Sequence, residues 1–156
     1  MHKLVKYLAI GIVALAIAIQ FIRPDRTNPP IDPEKDILGV AYLKPDVRAV
    51  LERSCFDCHS NRTRWPWYSQ VAPVSWLVND DVQQGRRHLN FSEWRGYKIG
   101  RQLSKLESLI GEVDKGEMPP KTYLLMHGNA TLSANERDLV SGWAESLSDS
   151  LNAGPK

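Results

Sequence analysis

Residues 45–59 read PDVRAVLERSCFDCH and join an apolar helical repeat to the chain's two cysteines. Pro45 suits the first turn of a helix, and the valines and leucine that follow it recur at helical spacing. This pattern predicts a short helix that runs into Ser54 and ends at the cysteine pair. Cys55 and Cys58 are then expected together at the C-terminal end of that helix.

The five residues Cys55-Phe56-Asp57-Cys58-His59 match C-x-x-C-H, the attachment pattern of a c-type haem. Two thiols separated by two residues can reach the two vinyl groups on one edge of a porphyrin. We expect Cys55 and Cys58 to form thioethers and His59 to be the proximal axial ligand of the iron. The predicted cofactor is one covalent haem c.

Three other interpretations of the cysteine pair remain open. A thioredoxin-like C-x-x-C needs a βαβ setting, whereas strand signals are nearly absent here. A zinc site needs two further ligands, and only His88 and His127 remain, far apart in the sequence. A disulfide between Cys55 and Cys58 would close too short a loop to add much stability.

Met118 is the predicted distal ligand, in the sequence Gly-Glu-Met-Pro-Pro. The two prolines stiffen the loop. A thioether ligand stabilises ferrous iron more than a second imidazole ligand would. Met118 could instead fill a gap in the core, as methionine often does. Met126, His127 and His88 are alternative ligands, and an open site would point to sensing or peroxide chemistry.

Large side chains are expected to wall the haem pocket, because a porphyrin needs apolar surfaces that exclude water. The candidates are Trp65, Trp67, Tyr68, Trp76 and Trp94. Several arginines are candidates for pairing with the haem propionates, namely Arg62, Arg64, Arg86 and Arg87. Asp57, between the cysteines, is expected to be an exposed linker residue.

The N-terminal residues 1–22 form a membrane-directed segment in which Lys3 and Lys6 precede an apolar run. Its length lies between a signal peptide and a spanning helix, and we favour an uncleaved signal anchor. The positively charged N-terminal end favours the cytoplasmic side of the membrane, so the chain after this segment is expected in the periplasm. The protein is then anchored to the inner membrane of a bacterium. Residues 23–44 are rich in proline and predict a stiff tether, and residues 45–150 are the haem-binding domain.

The rest of the domain is predicted to be all-α, cytochrome c-like and rich in long ordered loops. A second helix is expected from Pro73, with an apolar stripe formed by Val74, Leu77, Val78 and Val82. Ser92 is expected to cap a third helix that Gly116 ends. Ser133 and Glu136 match a capping box for a last helix, with Leu139, Val140, Trp143 and Leu147 on its buried face.

Composition excludes several other classes of protein. Twenty Lys and Arg residues against 18 Asp and Glu give a net charge of +2, and no long basic stripe is present. This argues against nucleic acid as the main partner. With only two cysteines, the chain is not a disulfide-stapled scaffold.

The motifs together carry a resemblance to a known family. CFDCH followed by SNRTRWPWYS, APVSW, NFSEW and GEMPP resembles the bacterial haem-binding domain family, which are small membrane-anchored proteins related to monohaem c-type cytochromes. The resemblance covers roughly residues 25–147 and implies haem attachment. We therefore expect an electron carrier, rather than an enzyme, that passes single electrons between redox partner proteins. The alternatives are a haem-based sensor or peroxidase-like enzyme with an open or labile sixth coordination site, and a structural module without haem.

Overall fold

A computed structural model describes residues 1–40 and 43–154. This part of the chain consists of helices and irregular segments. The absence of strands in this part confirms the predicted all-α class. The helices are α1 (His2–Ala18), α2 (Ile37–Val40), α3 (Pro45–Ser54), α4 (Phe56–His59), α5 (Val74–His88), α6 (Ile99–Asp114), α7 (Lys121–Leu124) and α8 (Ala134–Ala153). Short 3₁₀ turns lie at Ile19–Phe21, Trp67–Gln70, Phe91–Gly96 and Gly128–Ala130.

The predicted helix before the cysteines is present as α3, with Pro45 in its first turn. Its apolar residues Val47, Val50 and Leu51 are buried. They join Phe56 of α4 and the facing sides of α6 and α8 in one hydrophobic core. The core therefore lies directly behind the cysteine pair and fixes the backbone on which the pair is carried.

The apolar stripe predicted for α5 is only partly correct. Val82 is buried, but Val74 and Leu77 are 40% and 66% exposed. Val82 shares the buried side of α5 with the small residues Ser75 and Gly85, and Gly85 allows the backbone to approach α4 closely. Two large apolar side chains of α5 consequently remain on the surface of the polypeptide.

The predicted cap at Ser92 is wrong. Asn90 caps the 3₁₀ turn Phe91–Gly96, and its side chain accepts a hydrogen bond from the Ser92 backbone N–H at 3.0 Å. The following helix, α6, begins only at Ile99. The Asn90 side chain thereby satisfies one of the N–H groups that have no partner inside the first turn.

The last helix is capped as the sequence predicts. The Ser133 side chain accepts from the backbone N–H of Glu136, and Glu136 accepts from the Ser133 backbone N–H. Val140 is fully buried, whereas the other predicted core residues of α8 are partly buried against the same core. Those residues are Leu139, Trp143 and Leu147.

The apolar N-terminal helix extends from His2 to Phe21, including the 3₁₀ turn, and is 20 residues long. The apolar part of this helix is not buried against the rest of the chain. Its length and composition suit a membrane span. This is the property of a signal sequence or an anchor.

Residues 26–37, the docked segment, lie against the helical domain. Arg26 donates to the Ser69 carbonyl at 2.7 Å, and the Asn28 amide donates to the Thr63 carbonyl at 2.9 Å. Further along, Asp36 is buried and pairs with Arg62 at 2.6 Å, and Ile37 enters the hydrophobic core. The packed part of the molecule therefore includes residues upstream of position 40.

Candidate haem site

Cys55 joins α3 to α4, and Cys58 lies within α4 one turn further on. Cys55 donates its backbone N–H to the Leu51 carbonyl, and its own carbonyl accepts from the backbone N–H of His59, both at 2.9 Å. Cys55 and Cys58 are not joined in a disulfide, and each residue as a whole is partly exposed. The side chains of Cys55, Cys58 and His59 thus project from one turn of the backbone, as the C-x-x-C-H pattern requires.

His59 is oriented by a backbone carbonyl. Its Nδ1 lies 3.0 Å from the Leu89 carbonyl oxygen, so a proton on Nδ1 is donated there and Nε2 keeps its lone pair. Burial lowers the pKa of His59, which favours the neutral ring at neutral pH. A neutral imidazole held in one orientation is the form that ligates a metal.

Close backbone contact fixes α5 against the same turn. A Cβ added to Gly85 would lie 2.6 Å from the Cys58 carbonyl oxygen and 3.0 Å from the Cys58 Cβ. Only glycine allows this approach. The position of α5 beside Cys58 therefore depends on this single residue.

Asp57, predicted to be an exposed linker residue, is in fact mostly buried and bonded. Its side chain is only 13% exposed. One carboxylate oxygen accepts from the Arg64 backbone N–H at 3.1 Å, and the other accepts from the Tyr123 hydroxyl at 3.0 Å. The residue between the cysteines thus ties the following loop and the distant Tyr123 to the cysteine turn.

Tyr123 brings the loop after α6 to the cysteine turn. Its ring stacks on His127 with centroids 4.2 Å apart, and His127 Nδ1 lies 3.3 Å from the Tyr68 hydroxyl. Burial raises the pKa of Tyr123, so its hydroxyl stays a donor at neutral pH. Sequence reasoning missed Tyr123, because no local pattern links it to a residue 66 positions away.

Met118 lies where this loop leaves α6. Its side chain is half-buried, and its backbone N–H donates to the Glu112 carbonyl at 3.2 Å. Of the alternative ligands, Met126 is 57% exposed and His88 is exposed at the end of α5. His127 is engaged by the two tyrosines. Ligation by Met118 stays a prediction.

The five aromatic candidates for the pocket lie in different surroundings. Trp65 is half-buried, and its indole N–H is buried without an acceptor among the described residues. Tyr68 faces His127, whereas Trp67 is 73% exposed. Trp76 donates to the Ile22 carbonyl, and Trp94 belongs to the hydrophobic core.

Three of the four arginines proposed for propionates already have protein partners. Arg62 pairs with Asp36, and Arg64 pairs with Asp57 at 3.3 Å. Arg86 donates to the Ser60 carbonyl and to two side chains, Asn28 and Thr63. Arg87 is exposed. Arg62, Arg64 and Arg86 therefore hold in place the loop after the C-x-x-C-H motif and the docked segment.

The alternative chemistries of the cysteine pair find little support in the geometry. Burial raises the pKa of both thiols to about 12, so neither Cys55 nor Cys58 is the ready thiolate of a redox C-x-x-C. Over residues 1–40 and 43–154, no three His, Cys, Asp or Glu side chains are grouped to hold a metal ion. The zinc interpretation therefore gains no further ligand from the fold.

The helical domain thus presents two thiols and an oriented imidazole on one turn, which is the donor set of the C-x-x-C-H haem pattern. A family model described as a haem-binding domain matches residues 14–146, and the chain belongs to this family. No curated protein and no solved structure gives a significant match to the chain.

Proposed function

We propose that the chain holds one covalent haem c through Cys55 and Cys58, with His59 and Met118 as axial ligands. It then acts as a monohaem electron carrier that remains anchored to the bacterial inner membrane and exchanges single electrons with redox partner proteins in the periplasm. The observation that carries this proposal is the His59 geometry. The Leu89 carbonyl fixes the orientation of the His59 ring, and His59 directly follows two cysteines that form no disulfide. This arrangement suits His59 as an iron ligand.

The residues around the turn fit a haem. The buried Trp65 N–H lacks an acceptor among the described residues, and an acceptor carried by a bound group, such as a propionate, would satisfy it. A cofactor with polar edges fits this buried donor better than a small cation.

Haem supplies an iron that accepts and releases one electron. The chain's own residues orient and shield that iron. The Leu89 carbonyl holds the His59 ring in one orientation, and the Asp57–Tyr123 hydrogen bond holds the Met118 loop against the motif. Fixed ligands and a packed shell keep structural change small when the charge of the iron changes.

Covalent attachment is tested by haem staining of denaturing gels. The full chain is produced with cytochrome c maturation machinery, as wild type and as a Cys55→Ala, Cys58→Ala double variant. We expect the stain in the wild type and its loss in the double variant, because thioether-bound haem survives denaturation. Ser104→Ala, an exposed position on α6, is the control and should retain the stain. A wild-type chain without stain would refute covalent haem.

A further inference from the structure

The N-terminal helix meets the domain at one defined point. The Gln20 side chain bonds both backbone groups of Ala72: its amide oxygen accepts from the Ala72 N–H at 2.9 Å, and its amide nitrogen donates to the Ala72 carbonyl at 3.1 Å. Two residues on, the Ile22 carbonyl accepts from the Trp76 indole at 2.8 Å. The helix before Gln20 makes no buried contact with the domain. The end of the membrane-directed helix is therefore fixed to the domain at residues 72–76.

Exposed apolar side chains lie on both sides of Ala72 in the sequence. Trp67 is 73% exposed, Val71 46%, Val74 40% and Leu77 66%. We call these four residues the junction face. Val71 and Val74 lie within two residues of Ala72, so their Cα atoms are at most about 8 Å from its Cα. The polar region of each leaflet is about 5–8 Å thick. The Cα atoms of Val71 and Val74 therefore lie within about one headgroup thickness of the Cα atom of Ala72.

We propose that the junction face rests on the lipid headgroup region of the membrane that α1 spans. The proposal rests on the proposed function in one respect, namely that α1 is retained as an anchor. A bilayer that contains α1 up to Phe21 must pass beside Ala72, because Gln20 is bonded there. No other surface of the described domain is held this close to the anchor by hydrogen bonds.

The chemistry of the junction face suits a bilayer surface. Tryptophan is enriched at membrane interfaces, where its ring is apolar and its N–H remains polar. Arg23 is exposed at the end of the anchor, followed by the exposed Asp25 and the half-buried Arg26, so charged side chains flank the apolar ones. Long basic side chains close to a span reach its polar interface. The domain is thereby held in one orientation on the membrane instead of moving freely on a tether.

Lipid photo-crosslinking tests this contact. The full, haem-loaded chain is reconstituted in vesicles of zwitterionic and anionic phospholipid that include a phospholipid with a photoreactive group at headgroup depth. Adducts are then mapped by peptide mass spectrometry. We expect adducts on α1 and on residues 67–77. Ile99, which is 53% exposed at the start of α6, is the internal control and should carry none. Its helix contacts α5 through Lys105 and the His88 carbonyl, at the end of α5 opposite the junction.

Variants separate the contact from general surface exposure. Leu77→Asp should lower adducts on Leu77 and its neighbour Val74, while those on α1 persist, and Ile99→Asp should change neither. Adducts confined to α1 in the wild type would overturn the proposal. So would protection of Val74 and Leu77 from both the lipid reagent and a water-soluble carbene, since haem or protein would then cover them. Intact mass of the same sample reports whether the anchor and the haem are present, so a failure of the proposed function is recognised separately.

Discussion

At the scale of single residues, the turn that carries Cys55, Cys58 and His59 depends on contacts from distant parts of the chain. The Leu89 carbonyl orients His59, Gly85 lets α5 lie against Cys58, and Tyr123 reaches Asp57. Each of these partners is 27 or more positions from the residue it contacts. Substituting them one at a time should therefore separate stability of the fold from integrity of the site.

Gly85→Ala should destabilise the domain and impair haem attachment. The added methyl group would lie 2.6 Å from a backbone oxygen, so α5 must move away from the Cys58 turn. Overpacking of this kind costs about 1–3 kcal/mol. Thermal unfolding and haem stain per mole of chain are the measurements.

Gly111→Ala is the matched control for Gly85. Gly111 also lies inside a helix, but its added Cβ meets nothing within 4 Å. It should keep full haem staining and stabilise the protein by about 0.5–1 kcal/mol, because alanine is the better helix former. Equal effects of the two substitutions would show that contact at Cys58 is unimportant.

Tyr123→Phe should loosen the loop that carries Met118. The change removes the hydroxyl that donates to Asp57 while keeping the ring that stacks on His127. We expect faster binding of carbon monoxide to the ferrous protein, because a looser loop releases the methionine more often. Stopped-flow absorbance gives the rate.

Tyr97→Phe controls for loss of a tyrosine hydroxyl in general. The Tyr97 hydroxyl accepts from the Asn90 backbone N–H at 3.0 Å, outside the loop. This variant should lose stability without faster carbon monoxide binding. If both variants bind the gas at the wild-type rate, the Asp57–Tyr123 bond does not hold the loop.

At the scale of elements, the cap of α8 makes stability depend on pH. Hydrogen bonds from Ser133 and Arg53 lower the pKa of Glu136 from 4.5 to about 2. The ionised carboxylate therefore stabilises the fold above about pH 4.5, and this contribution is lost as the pH falls towards 2. Glu136→Gln should be less stable at neutral pH and lose less stability over this acidic range. Circular dichroism melts in detergent at several pH values check this, and parallel curves for both proteins would contradict it.

The docked segment is held by the ion pair between Asp36 and Arg62. Asp36 is 3% exposed and Arg62 34%. Removing the cation from a fully buried pair costs about 3–5 kcal/mol, and less is expected here because Arg62 is partly exposed. Arg62→Gln should therefore release residues 26–37, which limited proteolysis would detect as faster cleavage within that segment.

Arg48→Gln is the control for this ion pair. It breaks the exposed Arg48–Glu52 pair on α3, whose side chains are 54% and 44% exposed. Pairs of this kind are worth about 0–1 kcal/mol, so cleavage of the docked segment should not change. Unchanged cleavage in Arg62→Gln as well would show that the ion pair does not hold the segment.

At the scale of the whole molecule, local sequence signals predicted the features that are local in structure. Pro45, the C-x-x-C-H turn and the Ser133–Glu136 cap each depend on residues within a few positions, and all three appear in the fold. The buried Asp57 and the docking of residues 26–37 depend on contacts across the chain. No sequence period marks such contacts, so they could not be predicted from a single sequence.

The exposed residues of α5 show the same limit in another form. Val74 and Leu77 were expected in the core because apolar periodicity reports one face of a helix without saying what covers it. In this fold the helix buries its small residues instead, and leaves the large ones beside the anchor junction. Whether such a face meets protein, cofactor or lipid is decided by tertiary position.

The absorption spectrum of the purified, haem-loaded full chain tests the central claim most directly, compared with a Met118→Ala variant and with Met126→Ala as the control. We predict a six-coordinate ferric spectrum with the weak long-wavelength band of a methionine–iron bond. That band should vanish in Met118→Ala and persist in Met126→Ala. A wild-type spectrum without this band, or one that Met118→Ala leaves unchanged, would contradict His59–Met118 ligation. The electron-carrier proposal would then give way to sensing or peroxide chemistry at an open site.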